Sequence, residues 1–234
     1  ALREAWSSLR SPDPWIRHAA RITLERQPIK QWQNLFEKET NNRASIHSAL
    51  ALARKAPVHR RAALAKLSNL QFNSLSEENQ LAYLRTFAIA VQIEPQPPPE
   101  LIASITPQLE IAYPATSDSM NMELSRILSR LKSREFINKT LNLLQSRRSV
   151  RAEGDYSIFS QNLAYGDRFL KFAQSPPDPL GLHLAFMASH ADAEKWRPTQ
   201  MLRLANWLRE TLETAPLGTS YHEVIYRLSK NVEN

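Results

Sequence analysis

The chain of 234 residues contains no cysteine. Disulfides, thiolate nucleophiles, thiolate zinc sites and thioether-linked haem are therefore excluded from it. Glycine is almost as scarce, four residues against fifteen prolines. That imbalance disfavours sheet, whose tight turns and bulges draw on glycine, and suits helices punctuated by proline. Four glycines leave little material for a nucleophile elbow, a phosphate-cradling loop or a dinucleotide fingerprint, and none of these motifs occurs. No apolar run approaches the roughly 20 residues that cross a bilayer. Acidic residues are the minority charge, 23 Asp and Glu against 30 Lys and Arg, for a formal net charge of +7. The opening "ALREAWSSLR" lacks the basic-then-apolar form of a secretory signal and begins without Met, which reads as a processed chain or an excised segment.

What is present is helical periodicity. In "SPDPWIRHAARITLERQP", residues 11–28, Asp13 has the chemistry of an N-cap and Pro14 suits the position after it. Ile16, Ala19, Ala20 and Leu24 fall on one face, with Trp15 and Ile22 widening it. Pro28 ends that helix and starts another, which carries Trp32, Leu35 and Phe36. Ile46, Ala49, Leu50 and Ala53 repeat the spacing, and Ser74 with Glu77 stands at capping-box distance ahead of Leu81, Leu84, Ala88 and Val91. Pro107 predicts a kink or a restarted helix within 101–113. The cleanest pattern is Met120, Leu124, Ile127, Leu128 and Leu131, followed after a four-residue break by Ile137, Thr140, Leu141 and Leu144. Three further helices carry Leu182 and Phe186, then Met201 to Leu212, then Tyr221 to Leu228.

About eleven short amphipathic helices result, with no strand-like alternation. Each needs a neighbour to bury its apolar face, and the pairs recur at roughly 28 to 40 residues, within the range of helical-pair repeats. The expected fold is all-α: a right-handed α-α superhelix of antiparallel pairs, with a compact bundle as its structural rival. One domain over 1–234 is expected, with a stiff proline-rich corner or sub-boundary at 94–100 and a long polar loop at 146–156.

The stretch "DPWIRHAA" resembles the second helix of a HEAT repeat, with Asp13, an aliphatic Ile16, Arg17 and a small Ala20. That resemblance implies that Asp13 and Arg17 stabilise the repeat by tying neighbours together. A closer resemblance is to the HEAT-like segment of bacterial exported multidomain proteins that join a sugar-dehydrogenase-like propeller to a c-type cytochrome. The matching stretches are "SPDPWIRHAARITLERQPIKQWQ", "LSEENQLAYLRTFAIAV", "NMELSRILSRL" and "KWRPTQMLRLANWL". It implies export and a supporting role beside such domains. It implies no cofactor here, because neither a propeller nor a haem-binding Cys-x-x-Cys-His is present.

The candidate functional residues are cations. Arg43, Arg54, Lys55, Arg60, Arg61 and Lys66 lie in an acid-free stretch, and Arg126, Arg130, Lys132, Arg134, Arg147, Arg148 and Arg151 form a second basic region. A positive stripe neutralises phosphates and gains affinity by releasing counterions, although a solvated basic face is the blander account. Aromatic side chains that would stack on bases are almost absent from both regions. A glycosylase-like pocket of Trp196 and Trp207 with Asp192 or Glu194 is a distant third reading. His183 and His190 stand seven apart, too far for a paired zinc site. Glu77 and Glu78 occupy a helix first turn, where the macrodipole favours acids. Trp196 is the tryptophan singled out as a partner contact. The expectation is thus a non-catalytic scaffold for a protein partner or a neighbouring domain, with phosphate-backbone binding as the alternative.

Overall fold

In the computed structural model the described residues are 2–92, 98–147, 170, 178–191, 196–214 and 220–233, and among them are twelve α-helices and no strand. The all-α class holds. The chain divides into two compact units, Ala1–Ala112 and Tyr113–Asn234. The dividing point follows Ala112, while the proline-rich corner expected at 94–100 belongs to the first unit and lies mostly outside the described residues, as does the loop after Arg147. No helix among the described residues is long and apolar enough to cross a membrane.

The first unit holds α1 (Leu2–Ser8), α2 (Pro14–Arg26), α3 (Gln33–Lys38), α4 (Asn42–Lys55), α5 (Arg60–Ser68), α6 (Glu77–Ala90) and α7 (Pro99–Ala112). Asp13 caps α2 as its chemistry predicts, its carboxylate accepting from the backbone N–H of Trp15 at 2.8 Å and of Ile16 at 3.4 Å. Asn41 does the same for α4, accepting from Ala44. The capping box expected of Ser74 and Glu77 is not formed. Ser74 closes a 3₁₀ turn over Phe72–Ser74 and bonds to the Gln71 carbonyl, and Ser76 is the residue that precedes α6. Helix α7 runs without a restart through Pro107, and the Thr106 hydroxyl donates to the Ile102 carbonyl beside it.

Helix α4 packs against α2 on one side and α6 on the other, with α5 behind it. Its small residues, Ala44, Ser45, Ser48, Ala49 and Ala53, are all buried and let those neighbours approach closely. Helix α5 adds Leu64 and Leu67, and α6 adds Tyr83, Leu84 and Phe87. Trp32 is fully buried, 6.2 Å from the Trp6 ring and 6.5 Å from Phe36. Each such side chain contributes about 2 kcal/mol by leaving water.

Helix α2 departs from the expected pattern. Its buried stripe is Arg17, Ala20, Arg21 and Leu24, whereas Ile16 and Ala19 are exposed and Trp15 is 80% exposed. The packed face is rotated toward two arginines because their guanidiniums find acceptors inside the unit. Their aliphatic stems then cover apolar surface as a leucine would.

The second unit holds α8 (Asp118–Arg130), α9 (Phe136–Ser146), α10 (Pro179–Ser189), α11 (Pro198–Thr214) and α12 (Ser220–Glu233) among its described residues. The apolar positions expected of α8 and α9 are buried: Met120, Leu124, Ile127 and Leu128 on one, Ile137, Thr140, Leu141 and Leu144 on the other. Helix α8 ends in a Schellman motif. The Ser133 N–H donates to the Leu128 carbonyl and the Lys132 N–H to that of Ser129, with Lys132 in the left-handed region at φ 56°. Helix α10 packs on α8, α9 and α12, and α11 packs on α9 and α12. At Gly181 an added Cβ would stand 2.6 Å from an Asp178 carboxylate oxygen and 3.1 Å from the Trp207 ring.

Candidate functional site: an arginine ladder on the first unit

Three adjacent helices of the first unit present ionisable residues at spacings of four and seven. Helix α2 contributes Arg17, Arg21 and Glu25, α4 contributes Arg43, His47 and Arg54, and α6 contributes Glu78 and Arg85. Two glutamates tie four of these arginines together. Glu78 accepts from Arg17 and from Arg43 at 3.1 Å; Glu25 accepts from Arg21 and from Arg54 at 3.2 Å. Five arginines against two glutamates leave a surplus of three positive charges on these stripes. Between the three helices opens a cavity of about 360 Å³, whose walls include Arg17, Arg21, His47, Glu78 and Arg85, with Leu50 as an apolar patch.

Arg17 anchors this arrangement. Its side chain is only 6% exposed, one terminal nitrogen donates to the Ser11 and Pro12 carbonyls at 2.8 and 2.7 Å, and the other donates to Glu78. Its Nε is buried without an acceptor. A buried guanidinium short of one acceptor is costly, so its environment favours any further anion brought near it. Glu78 is its opposite, with half of its side chain in solvent.

His47 makes no hydrogen bond among the described residues. Burial first, and then the positive charges of Arg17, Arg21 and Arg43, push its pKa down to about 4. At neutral pH the ring is therefore uncharged, with one N–H to donate and one nitrogen to accept. The arrangement can bind an anion through guanidinium forks and an imidazole N–H. It presents no nucleophile activated by a base, and no group of three or more His, Asp or Glu able to hold a metal occurs among the described residues.

The sequence-predicted cations of the first region divide into two kinds. Arg43 and Arg54 belong to the ladder. Lys55, Arg60 and Lys66 instead serve helix ends: Lys55 donates to the Glu25 carbonyl, Arg60 to those of Ala53 and Gln92, and Lys66 to those of Glu37 and Glu39. There they oppose the negative ends of helix dipoles. Arg61 is exposed. The side chains of Asp13 and Arg17 do not bond to each other, although the Arg17 backbone N–H donates to the Asp13 carbonyl at 3.2 Å: the Asp13 carboxylate caps its own helix, and the Arg17 guanidinium reaches 61 residues onward to Glu78.

In the second unit Arg126 pairs with Glu123 on its own helix, Arg130 and Arg134 are exposed, and Lys132 ends α8. Arg147 is clamped between Asp118, at 3.1 Å, and Asp178, at 2.6 Å. Burial alone would raise the Asp178 pKa, but the Arg147 hydrogen bonds and charge outweigh it and hold the carboxyl below its ordinary range. His183 bonds to the Met122 carbonyl and the Ser125 hydroxyl, as expected of a satisfied histidine. Arg148, Arg151, Asp192 and Glu194 lie outside the described residues. Trp196 is half-buried, and the exposed tryptophan is Trp15.

Sequence reasoning did not single out His47, Arg21 or Arg85, and it gave Glu78 only a dipole role. The available signal was the polar series Arg43, His47 and Arg54 running through an otherwise apolar helix. No family model, curated protein or solved structure matches the chain.

Proposed function

We propose that this chain is a non-catalytic helical-repeat scaffold, an α-solenoid of HEAT type that holds a protein partner or a neighbouring domain of a longer polypeptide on the α2, α4 and α6 face of its first unit. The observation that carries the reading is the ladder itself. Three alternate helices, α2, α4 and α6, each separated in sequence from the next by another helix, pack side by side and are bridged by ion pairs, Arg17 and Arg43 to Glu78 and Arg21 and Arg54 to Glu25. Alternate helices stacking in this way is what a helical-pair repeat requires, because each pair buries its apolar face only against the next. Trp15 stands exposed in the first turn of α2, where a large apolar side chain beside charged groups suits an interface anchor.

The phosphate-backbone alternative draws less support, since Lys55, Arg60 and Lys66 are committed to carbonyls within the unit. The test is site-specific photocrosslinking in cells that express the chain, with benzoylphenylalanine at Trp15, at Ala82 and, as a control in the same unit, at exposed Val58. Discrete protein adducts from Trp15 and Ala82 but not Val58 are expected. Equal adducts from all three positions, or salt-sensitive retention on a random-sequence duplex without protein adducts, would reject the reading.

A further inference from the structure

We infer that the outward face of α2 is a self-association surface, on which a second copy of the chain lays its own α2 antiparallel, so that Trp15 of each copy meets Arg26 of the other. The inference rests on the scaffold reading for taking Trp15 as an interface anchor, and it names what Trp15 meets.

The surface follows from the rotation of α2. With the buried stripe on Arg17, Ala20, Arg21 and Leu24, the opposite side of the helix carries Trp15, Ala19, Ile22 and Arg26. At roughly 100° per residue these four fall within about 60° of one another. Trp15 is 80% exposed, Ala19 and Arg26 are exposed and Ile22 is half-buried. Ile16, 48% exposed, borders them. A helix apolar on two sides needs cover on both, and its own unit supplies cover on one. The outward face lies across α2 from Arg17 and Arg21, so a copy seated there does not contest the ladder.

The order of the four residues sets what covers them. Their spacing of four, three and four reads the same from either end. Two copies of α2 related by a two-fold axis between Ala20 and Arg21 therefore set Trp15 level with Arg26 and Ala19 level with Ile22. Each pairing joins complementary groups. The Arg26 guanidinium has no ion pair or side-chain hydrogen bond among the described residues, and a guanidinium over an indole face is attracted by the ring. Ala19 leaves room for the branched Ile22 side chain, which lets the two helices come close. A parallel arrangement would instead oppose Arg26 to Arg26, like charge to like. A seam of one helix on each side falls below the roughly 1,200 Å² at which stable interfaces begin, so the pair is weak, with a dissociation constant of about 100 μM.

The test uses the full chain, whose lack of cysteine makes introduced thiols unambiguous. In sedimentation equilibrium the mass of the parent should rise from 26.8 kDa toward twice that value between about 10 and about 500 μM. Trp15→Ala and Arg26→Glu, both at exposed positions, should each weaken association about tenfold, with circular dichroism as the check on folding. For the register, Ala19→Cys and Ile22→Cys chains are oxidised separately and as a mixture. The disulfide between the two different variants should form about fivefold faster than either variant's disulfide with itself. A parent that stays monomeric at about 500 μM, association unchanged in Trp15→Ala, or same-variant disulfides forming as fast as the mixed one would each overturn the assignment. Trp15-dependent binding to anionic lipid vesicles by a chain that stays monomeric would give the face to a membrane surface instead. Adducts with another protein from Trp15 and Ala82 of a monomeric chain would overturn the pair and leave the scaffold standing.

Discussion

The two units solve the same electrostatic problem with opposite stoichiometry. In the first, one acid, Glu78, is shared by Arg17 and Arg43; in the second, one cation, Arg147, is shared by Asp118 and Asp178. The first arrangement leaves positive charge over and the second leaves negative. The histidines differ in parallel: His47 has no hydrogen-bond partner among the described residues, whereas His183 has two. A network that satisfies its members fixes a structure. The first network leaves the Arg17 Nε one acceptor short.

Breaking each hub separately tests the contrast most strongly. Arg17→Ala removes a buried side chain, two carbonyl contacts and one ion pair, and should cost about 3 kcal/mol of stability in denaturant titrations. Arg147 is a quarter exposed and both of its acids can turn to water, so Arg147→Ala should cost about 1 kcal/mol. Equal losses in the two variants would show that burial of Arg17 matters less than its partners do.

Acid should separate the contribution of His47 from that of Asp178 as well. His47 in the unfolded chain takes up its proton near pH 6.5, but in the folded chain only near pH 4. As pH falls through that window the unfolded state binds the extra proton, so stability declines with a limiting slope of about 1.4 kcal/mol per pH unit and levels off below it. His47→Leu should flatten much of that limb, and the rest belongs to His183, whose pKa burial also lowers. Asp178 has a folded pKa below the ordinary carboxylate value, so its contribution is intact above about pH 4 and is lost as pH falls further. Asp178→Asn should flatten only that lower limb. A His47→Leu profile that still falls between pH 6 and 5 as the parent does would remove the histidine from the account.

The sequence made the helices legible because their signal is local. Asp13 before Pro14, Asn41 before α4, and the leucine series of α8 and α9 each announce an element within a few residues. The site was hidden for the complementary reason. Nothing near Arg17 in the chain says that its acceptor is Glu78, 61 residues on, and a rule that counts arginine as polar places the buried face of α2 on the wrong side. Periodicity reports burial by apolarity alone, so a helix that packs through paired arginines is misread by about a fifth of a turn. The same blindness joined Lys55 and Lys66, which end helices, to Arg43, which belongs to the ladder.

The smallest effect concerns the join between α8 and α9, where Lys132 stands at φ 56°. Lys132 occupies the left-handed position of a Schellman motif, in which the Cβ of any L residue crowds the following carbonyl at roughly 1 kcal/mol. Glycine removes that crowding but has more freedom to lose on folding, which returns part of the gain. Counted on the backbone alone, Lys132→Gly stabilises the protein by about 0.5 kcal/mol, a rise of about 1 °C in thermal melting at this chain length. Its hydrogen bonds from Lys132 and Ser133 to the end of α8 depend only on backbone and stay in place. A fall in melting temperature would mean that the lysine side chain contributes more where it stands than its backbone costs.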